Sequence, residues 1–78
     1  MPRFYLHIRD GHELIKDGDG VDLPDVNSAQ EEALASAREI FADLIRAGKL
    51  LDGRQFEIVN EVGQVVATIP FRAALKLD

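Results

Sequence analysis

The stretch Asn27–Ala47, NSAQEEALASAREIFADLIRA, decides the fold. On a helical wheel at about 100° per residue, Ala29, Ala33, Leu34, Ala37, Ile40, Phe41, Leu44 and Ile45 fall on one side. Glu32, Glu39, Asp43 and Arg46 fall on the other. The spacing predicts one long amphipathic helix whose opening alanines permit close approach to a sheet. Gly48 ends it as a residue that adopts the left-handed conformation, and Arg46 and Lys49 suit the negative end of the helix dipole. At the other end three caps compete: Asp25, Asn27 with Gln30, and Ser28 with Glu31. Pattern alone leaves all three open.

Upstream, Phe4, Leu6 and Ile8 alternate with Arg3, Tyr5, His7 and Arg9, the period-two pattern of a half-buried strand. Asp10-Gly11 follows and predicts a type I′ turn, with a short return strand through His12, Glu13, Leu14 and Ile15. Asp17-Gly18-Asp19-Gly20 breaks that strand, and Val21 and Leu23 extend the chain before Pro24. Downstream, Leu50-Leu51 is expected to pack under the helix end, and Asp52-Gly53 completes the connection. Phe56 and Ile58 then alternate before Asn60-Glu61-Val62-Gly63, and Val65, Ala67 and Ile69 alternate after it, a hairpin closed by Gly63. Pro70 stops the strand, and Phe71–Leu77 is expected to form a last helical turn.

The order β-β-α-β-β gives an α+β domain: a four-stranded, mostly antiparallel sheet with one long helix packed on one face. The first strand has the longest alternation and belongs inside the sheet. With 78 residues, positions 1–78 form a single domain with a small core. Such a core is expected not to wall off a pocket of about 300 Å³ or more. The absence of cysteine fits a reducing cytoplasm and excludes thiolate zinc sites and thiol catalysis. Met1-Pro2-Arg3-Phe4 opens no signal peptide, and no run approaches the roughly 20 apolar residues of a membrane span. A cytoplasmic protein is therefore expected, with no membrane partner.

Charge is unevenly placed. Asp17, Asp19, Asp22, Asp25, Glu31 and Glu32 occur with no lysine or arginine between them, within a chain of net charge −5. The six arginines, Arg3, Arg9, Arg38, Arg46, Arg54 and Arg72, are spread too evenly for the basic stripe that displaces phosphate counterions, so nucleic-acid binding is not expected. Asp17, Asp19 and Asp22 on a glycine-rich turn are the candidate metal ligands, since spaced carboxylates converge on hard cations. The EF-hand pattern nevertheless fails twice, with Asp22 where glycine belongs and Ser28 where glutamate belongs. Turn formation beside a helix N-terminus explains the same acids.

Arg3-Phe4-Tyr5-Leu6-His7-Ile8-Arg9-Asp10-Gly11, Asp17, Gly20-Val21-Asp22-Leu23-Pro24-Asp25, Asp52-Gly53 and Thr68-Ile69-Pro70-Phe71 appear in order around an alanine-rich helix. In this string the chain resembles a family of short stand-alone alphaproteobacterial proteins of unknown function. The resemblance implies a bacterial, cytoplasmic origin and supplies no activity. A more local likeness joins Leu23-Pro24-Asp25, Glu31-Glu32-Ala33-Leu34 and Ala37-Arg38-Glu39 to the strand-to-helix passage of HicB-type antitoxins, which bind and block a partner toxin. The chain lacks their glycine-rich third strand and any appended DNA-binding module.

Ser28, Ser36 and Thr68 are the aliphatic hydroxyls, and none lies in a nucleophile elbow. With no phosphate-cradling glycine loop either, neither enzyme activity nor a cofactor is expected. One helix covers one face of the sheet, leaving the other to Tyr5, His7, Arg9, Val59 and Val66, the candidate partner-binding residues. The expected function is a non-enzymatic protein-interaction or regulatory module, homodimeric or bound to another polypeptide. A cation- or ligand-binding protein using the acidic loop, or a HicB-like partner binder, is the alternative.

Overall fold

The computed structural model describes residues 1–48 and 53–75. Its elements are β1 (Arg3–Asp10), β2 (Glu13–Ile15), β3 (Val21–Asp22), α1 (Val26–Arg46), β4 (Gln55–Val59), β5 (Val65–Pro70) and a 3₁₀ turn, Phe71–Leu75. The fold is α+β, an antiparallel sheet with one long helix on one face. The sheet runs β2-β1-β4-β5, with β3 also paired to β1. The longest alternating strand is thus central, as its pattern predicts. Leu50, Leu51 and Leu77 lie outside the described residues.

The four strands read from the sequence gain a fifth, β3, because the return path along β1 is broken in the middle. Ile8 pairs with Ile15 and Phe4 with Val21, so two extra residues are accommodated between β2 and β3 along one edge of β1. Asp17 fills the gap. One of its carboxylate oxygens, Oδ2, accepts the Leu6 N–H at 3.2 Å, replacing the ladder bond that the broken strand cannot make. The other, Oδ1, accepts the N–H groups of Asp19 and Gly20 at 3.1 and 3.2 Å, closing the turn. Gly20 has φ +72°, and a Cβ there would stand 2.8 Å from Tyr5 Cε1 and 2.9 Å from Arg3 Cγ. The turn therefore lies tight against the sheet at the one residue type that allows it.

The first hairpin corrects the expected turn. Asp10 pairs with Glu13, so the central residues are Gly11 and His12, and only Gly11 has a positive φ, at 62°. A glycine at the first central position with an ordinary residue at the second is the type II′ pattern, not type I′. Helix α1 begins at Val26 with Asp25 as its cap, whose carboxylate accepts the Ser28 N–H at 2.8 Å. This bond holds the Asp25 carboxyl below the usual range. Asp25→Ala is expected to fray the first turn and lower the melting temperature, and amide exchange at Ser28 is the check. Unchanged protection there would show that the cap does not anchor the helix.

Ala29, Ala33, Ala37 and Phe41 form the buried stripe of α1, at i, i+4 spacing. Against it stand Phe4 from β1, Phe56 and Ile58 from β4, and Phe71 and Ala74 from the 3₁₀ turn. Phe71 sits between two rings, 4.7 Å from Phe56 and 5.9 Å from Phe41 by centroid, the latter edge-on. Burying such a side chain stabilises by roughly 1.5–3 kcal/mol. Ile45, on the apolar side of the wheel, is 65% exposed.

Strand β5 runs through Pro70, which is tolerated because β5 is an edge strand. The Phe71 N–H donates to the Arg54 carbonyl at 3.0 Å, so by alternation Phe71, Ile69 and Ala67 turn their backbone groups to β4. Thr68 and Pro70 turn theirs outward, and the missing N–H of Pro70 breaks no ladder bond. The second turn is built on Asn60, whose side-chain oxygen accepts the N–H groups of Val62 and Gln64 at 3.1 and 2.9 Å. Gly63 takes φ 85° there.

Candidate functional site

Two surfaces stand out, one on each side of the sheet. The register places Arg3, Tyr5, His7 and Arg9 of β1 on the face away from α1, opposite Val59, Glu57 and Gln55 of β4. Across β5 the row continues through Val65, Thr68 and Pro70. The expected partner-binding residues are therefore largely brought together: Tyr5, His7, Arg9 and Val59 share this face. Val66 departs from simple alternation. The register slips between Ile58 and Val59, so Val65 stands opposite Val59 and Val66 is the extra residue of a β-bulge.

Three rows cross this face. Tyr5, Val59 and Val65 make an apolar row, His7, Glu57 and Thr68 a polar one, and Arg9, Gln55 and Pro70 a mixed one. The polar groups are largely engaged with each other. Arg9 Nε donates to Glu57 at 3.0 Å, and Arg3 Nε to Asp22 at 2.8 Å. His7 Nδ1 accepts the Asp17 N–H at 3.0 Å, and its ring lies 6.3 Å from that of Tyr5 by centroid. Val59 is buried at 8% exposure, whereas Val65 is 55% and Val66 37% exposed. Val62, in the turn just beyond, is 78% exposed. The apolar row thus starts covered at the centre of the sheet and emerges at its β5 edge.

The acidic loop has a different character. Asp17 has both carboxylate oxygens bonded to backbone N–H groups. Burial pushes its carboxyl up, but the N–H groups of Gly20, Leu6 and Asp19 outweigh it, with His7 adding, and the net direction is down. Asp22 is held below its usual range by its hydrogen bond to Arg3. Asp19 is exposed. Among the described residues, no group of three or more His, Asp or Glu is placed to hold a metal ion. The carboxylates at 17 and 22 act as structural acceptors that order the broken edge of β1.

On the helix side, the core does not close over β1. Helix α1 packs most closely against β5 and the 3₁₀ turn, and a groove of about 330 Å³ remains between α1 and β1. Leu6, Ile8 and Phe56 line it from the sheet, Glu32, Ser36 and Ile40 from the helix, and Asp17 and Val21 from the broken edge. It is an open groove along the surface, not the walled-off pocket that so small a core is expected to lack. The volume arises from the offset of the helix across the sheet, which chain length does not reveal. Among the described residues no helix is long and apolar enough to cross a membrane.

No curated protein and no solved structure matches the chain. A family model does, over residues 3–72, from the first residue of β1 to the second of the 3₁₀ turn. The ordered motifs of the sequence, the central β1 and the Phe71 plug all fall within that span, and the chain belongs to the family described as Domain of unknown function (DUF6894).

Proposed function

We propose that this protein is a non-enzymatic interaction module of the cytoplasm that docks a polypeptide, in the first instance a second copy of itself. The contact is the helix-free face of the sheet where it meets the β5 edge. One observation carries the reading: the apolar row Tyr5–Val59–Val65 runs out to an edge strand without a charged residue, Val65–Pro70, with Val66 and Val62 exposed beside it. Edge strands present outward N–H and C=O groups, and natural proteins usually guard them with charges. Among the described residues the guards are the bulge and Pro70, and both leave the outward backbone groups of Thr68 open to pairing. Engagement of Arg9 with Glu57 and of His7 with Asp17 supports the same reading, since it holds the face rigid. The absence of cysteine supports a reducing compartment. A cation-binding role for Asp17, Asp19 and Asp22 has less support, because backbone N–H groups and Arg3 already occupy Asp17 and Asp22.

Val65→Lys tests the proposal by placing a charge where the row emerges. The wild type is expected to show a dimer mass in sedimentation equilibrium at high micromolar concentration. The variant is expected to show a monomer mass with an unchanged circular dichroism spectrum. A monomeric wild type, or a dimer indifferent to the lysine, removes the self-association reading.

A further inference from the structure

The groove between α1 and β1 has features that the docking face does not use. Its floor and walls are apolar, from Leu6, Ile8, Val21, Ile40 and Phe56, and its two charged members, Asp17 and Glu32, are both acids. Glu32, Ser36 and Ile40 follow one another at i, i+4, i+8 on α1, so they form a ridge roughly 12 Å long that grades from acid through hydroxyl to hydrocarbon. Glu32 is exposed and makes no ion pair among the described residues. Asp17, across the groove, is kept ionised by its backbone N–H partners. Both belong to the stretch from Asp17 to Glu32, which holds no lysine or arginine.

We infer that this groove is a binding site for a small organic cation: an apolar body seated on Leu6, Ile8 and Ile40, with an ammonium group directed to the Glu32 end. A volume of about 330 Å³ lies at the lower end of small-molecule sites, which suits a compact ligand better than a peptide segment. The charge decides the sign. An anionic ligand meets Asp17 and Glu32 with no described lining residue to offset them, and a neutral one gains nothing from the charge of Glu32. Ser36, one helical turn from Glu32, offers a hydroxyl acceptor to the same ammonium.

The probes are n-hexylammonium, hexanol and hexanoate, three ligands of one apolar body and different charge, titrated into the amide spectrum of the full chain. Hexylammonium is expected to move the amides of Leu6, Ile8, Ser36 and Ile40 and to bind more tightly than hexanol, with hexanoate weakest. Glu32→Gln, at an exposed position that leaves the fold intact, is expected to weaken hexylammonium about five-fold and hexanol hardly at all. Ser36→Leu, which fills the groove, is expected to weaken both. Equal affinity for the three probes, perturbation away from the groove, or no response at millimolar hexylammonium overturns the inference. None of these outcomes depends on whether the β5 edge dimerises.

Discussion

Phe71→Ala is expected to leave the protein barely folded. The ring is fully buried and in contact with Phe41 and Phe56, so its removal deletes one wall of an aromatic trio that joins helix, sheet and 3₁₀ turn. Truncations of this kind cost about 3–5 kcal/mol, and the cavity cannot collapse when the neighbours are themselves rings. A chain of 78 residues has a total stability of only about 4–12 kcal/mol. In a domain of this size each kcal/mol shifts the melting temperature by roughly 4–8 °C, so a fall of at least about 12 °C is expected in a thermal melt. Ile45→Ala is the control. That residue shares the apolar side of the wheel yet is 65% exposed, and its loss should cost within about 0.5 kcal/mol. Equal melting shifts for the two variants would contradict the placement of the core.

Asp17→Ala has the second largest expected effect, through hydrogen bonding and not through packing. Its carboxylate accepts the N–H groups of Leu6, Asp19 and Gly20, and without it these donors at the broken strand edge lose their acceptor. The expected cost at neutral pH is about 1–3 kcal/mol, visible in urea denaturation. The pH dependence has a definite sign. The folded carboxyl is held below its ordinary value of 3.8, so its contribution is complete above that value and is lost as pH falls through the lower, folded value. The stability gap between wild type and variant should therefore be widest near neutrality and shrink below pH 3.8. A gap that stays constant into strong acid would mean that the ionised carboxylate is not what holds the edge.

Most of the architecture is legible in the sequence because it depends on strong local periodicity. The alternation of Phe4, Leu6 and Ile8 gives a strand and its inward face, and the wheel gives a broad apolar side from Ala29 to Ile45, of which Ala29, Ala33, Ala37 and Phe41 are the buried stripe. What escapes the sequence depends on partners distant along the chain. Strand β3 is two residues long, too short for alternation to register, and exists only because Arg3 and Phe4 offer it an edge. The helix cap is ambiguous because Asp25, Asn27 and Ser28 all carry a side-chain oxygen. It is resolved by the backbone, which is extended at Asp25 and helical from Val26. Val66 reads as a face residue until the bulge moves Val65 into its row.

The candidate sites divide in the same way. Tyr5, His7 and Arg9 share a face because strand geometry requires it, and their grouping is visible from spacing alone. That Val59 is covered while Val65 emerges depends on three strands meeting in one register. The groove was the least legible feature. Glu32, Ser36 and Ile40 are helix residues at ordinary spacing, and Leu6 and Ile8 read simply as core. Their role follows from where α1 rests across the sheet, and no local pattern encodes that.

The pairing of β1 with β4 also bears on how the chain acquires its structure in time. Arg9 meets Gln55 and Tyr5 meets Val59, contacts between the first strand and one that follows the whole helix. Until β4 is synthesised, the central strand has a partner on one edge only, and until Phe71 emerges the ring cluster that clamps helix to sheet is incomplete. Loop closure over such separations must precede most of the stabilising contacts, which slows folding and makes it cooperative. Folding is therefore expected to be all-or-none: the first hairpin and the helix lack by themselves the contacts that hold them, and the domain closes as one unit when β4 and Phe71 join them.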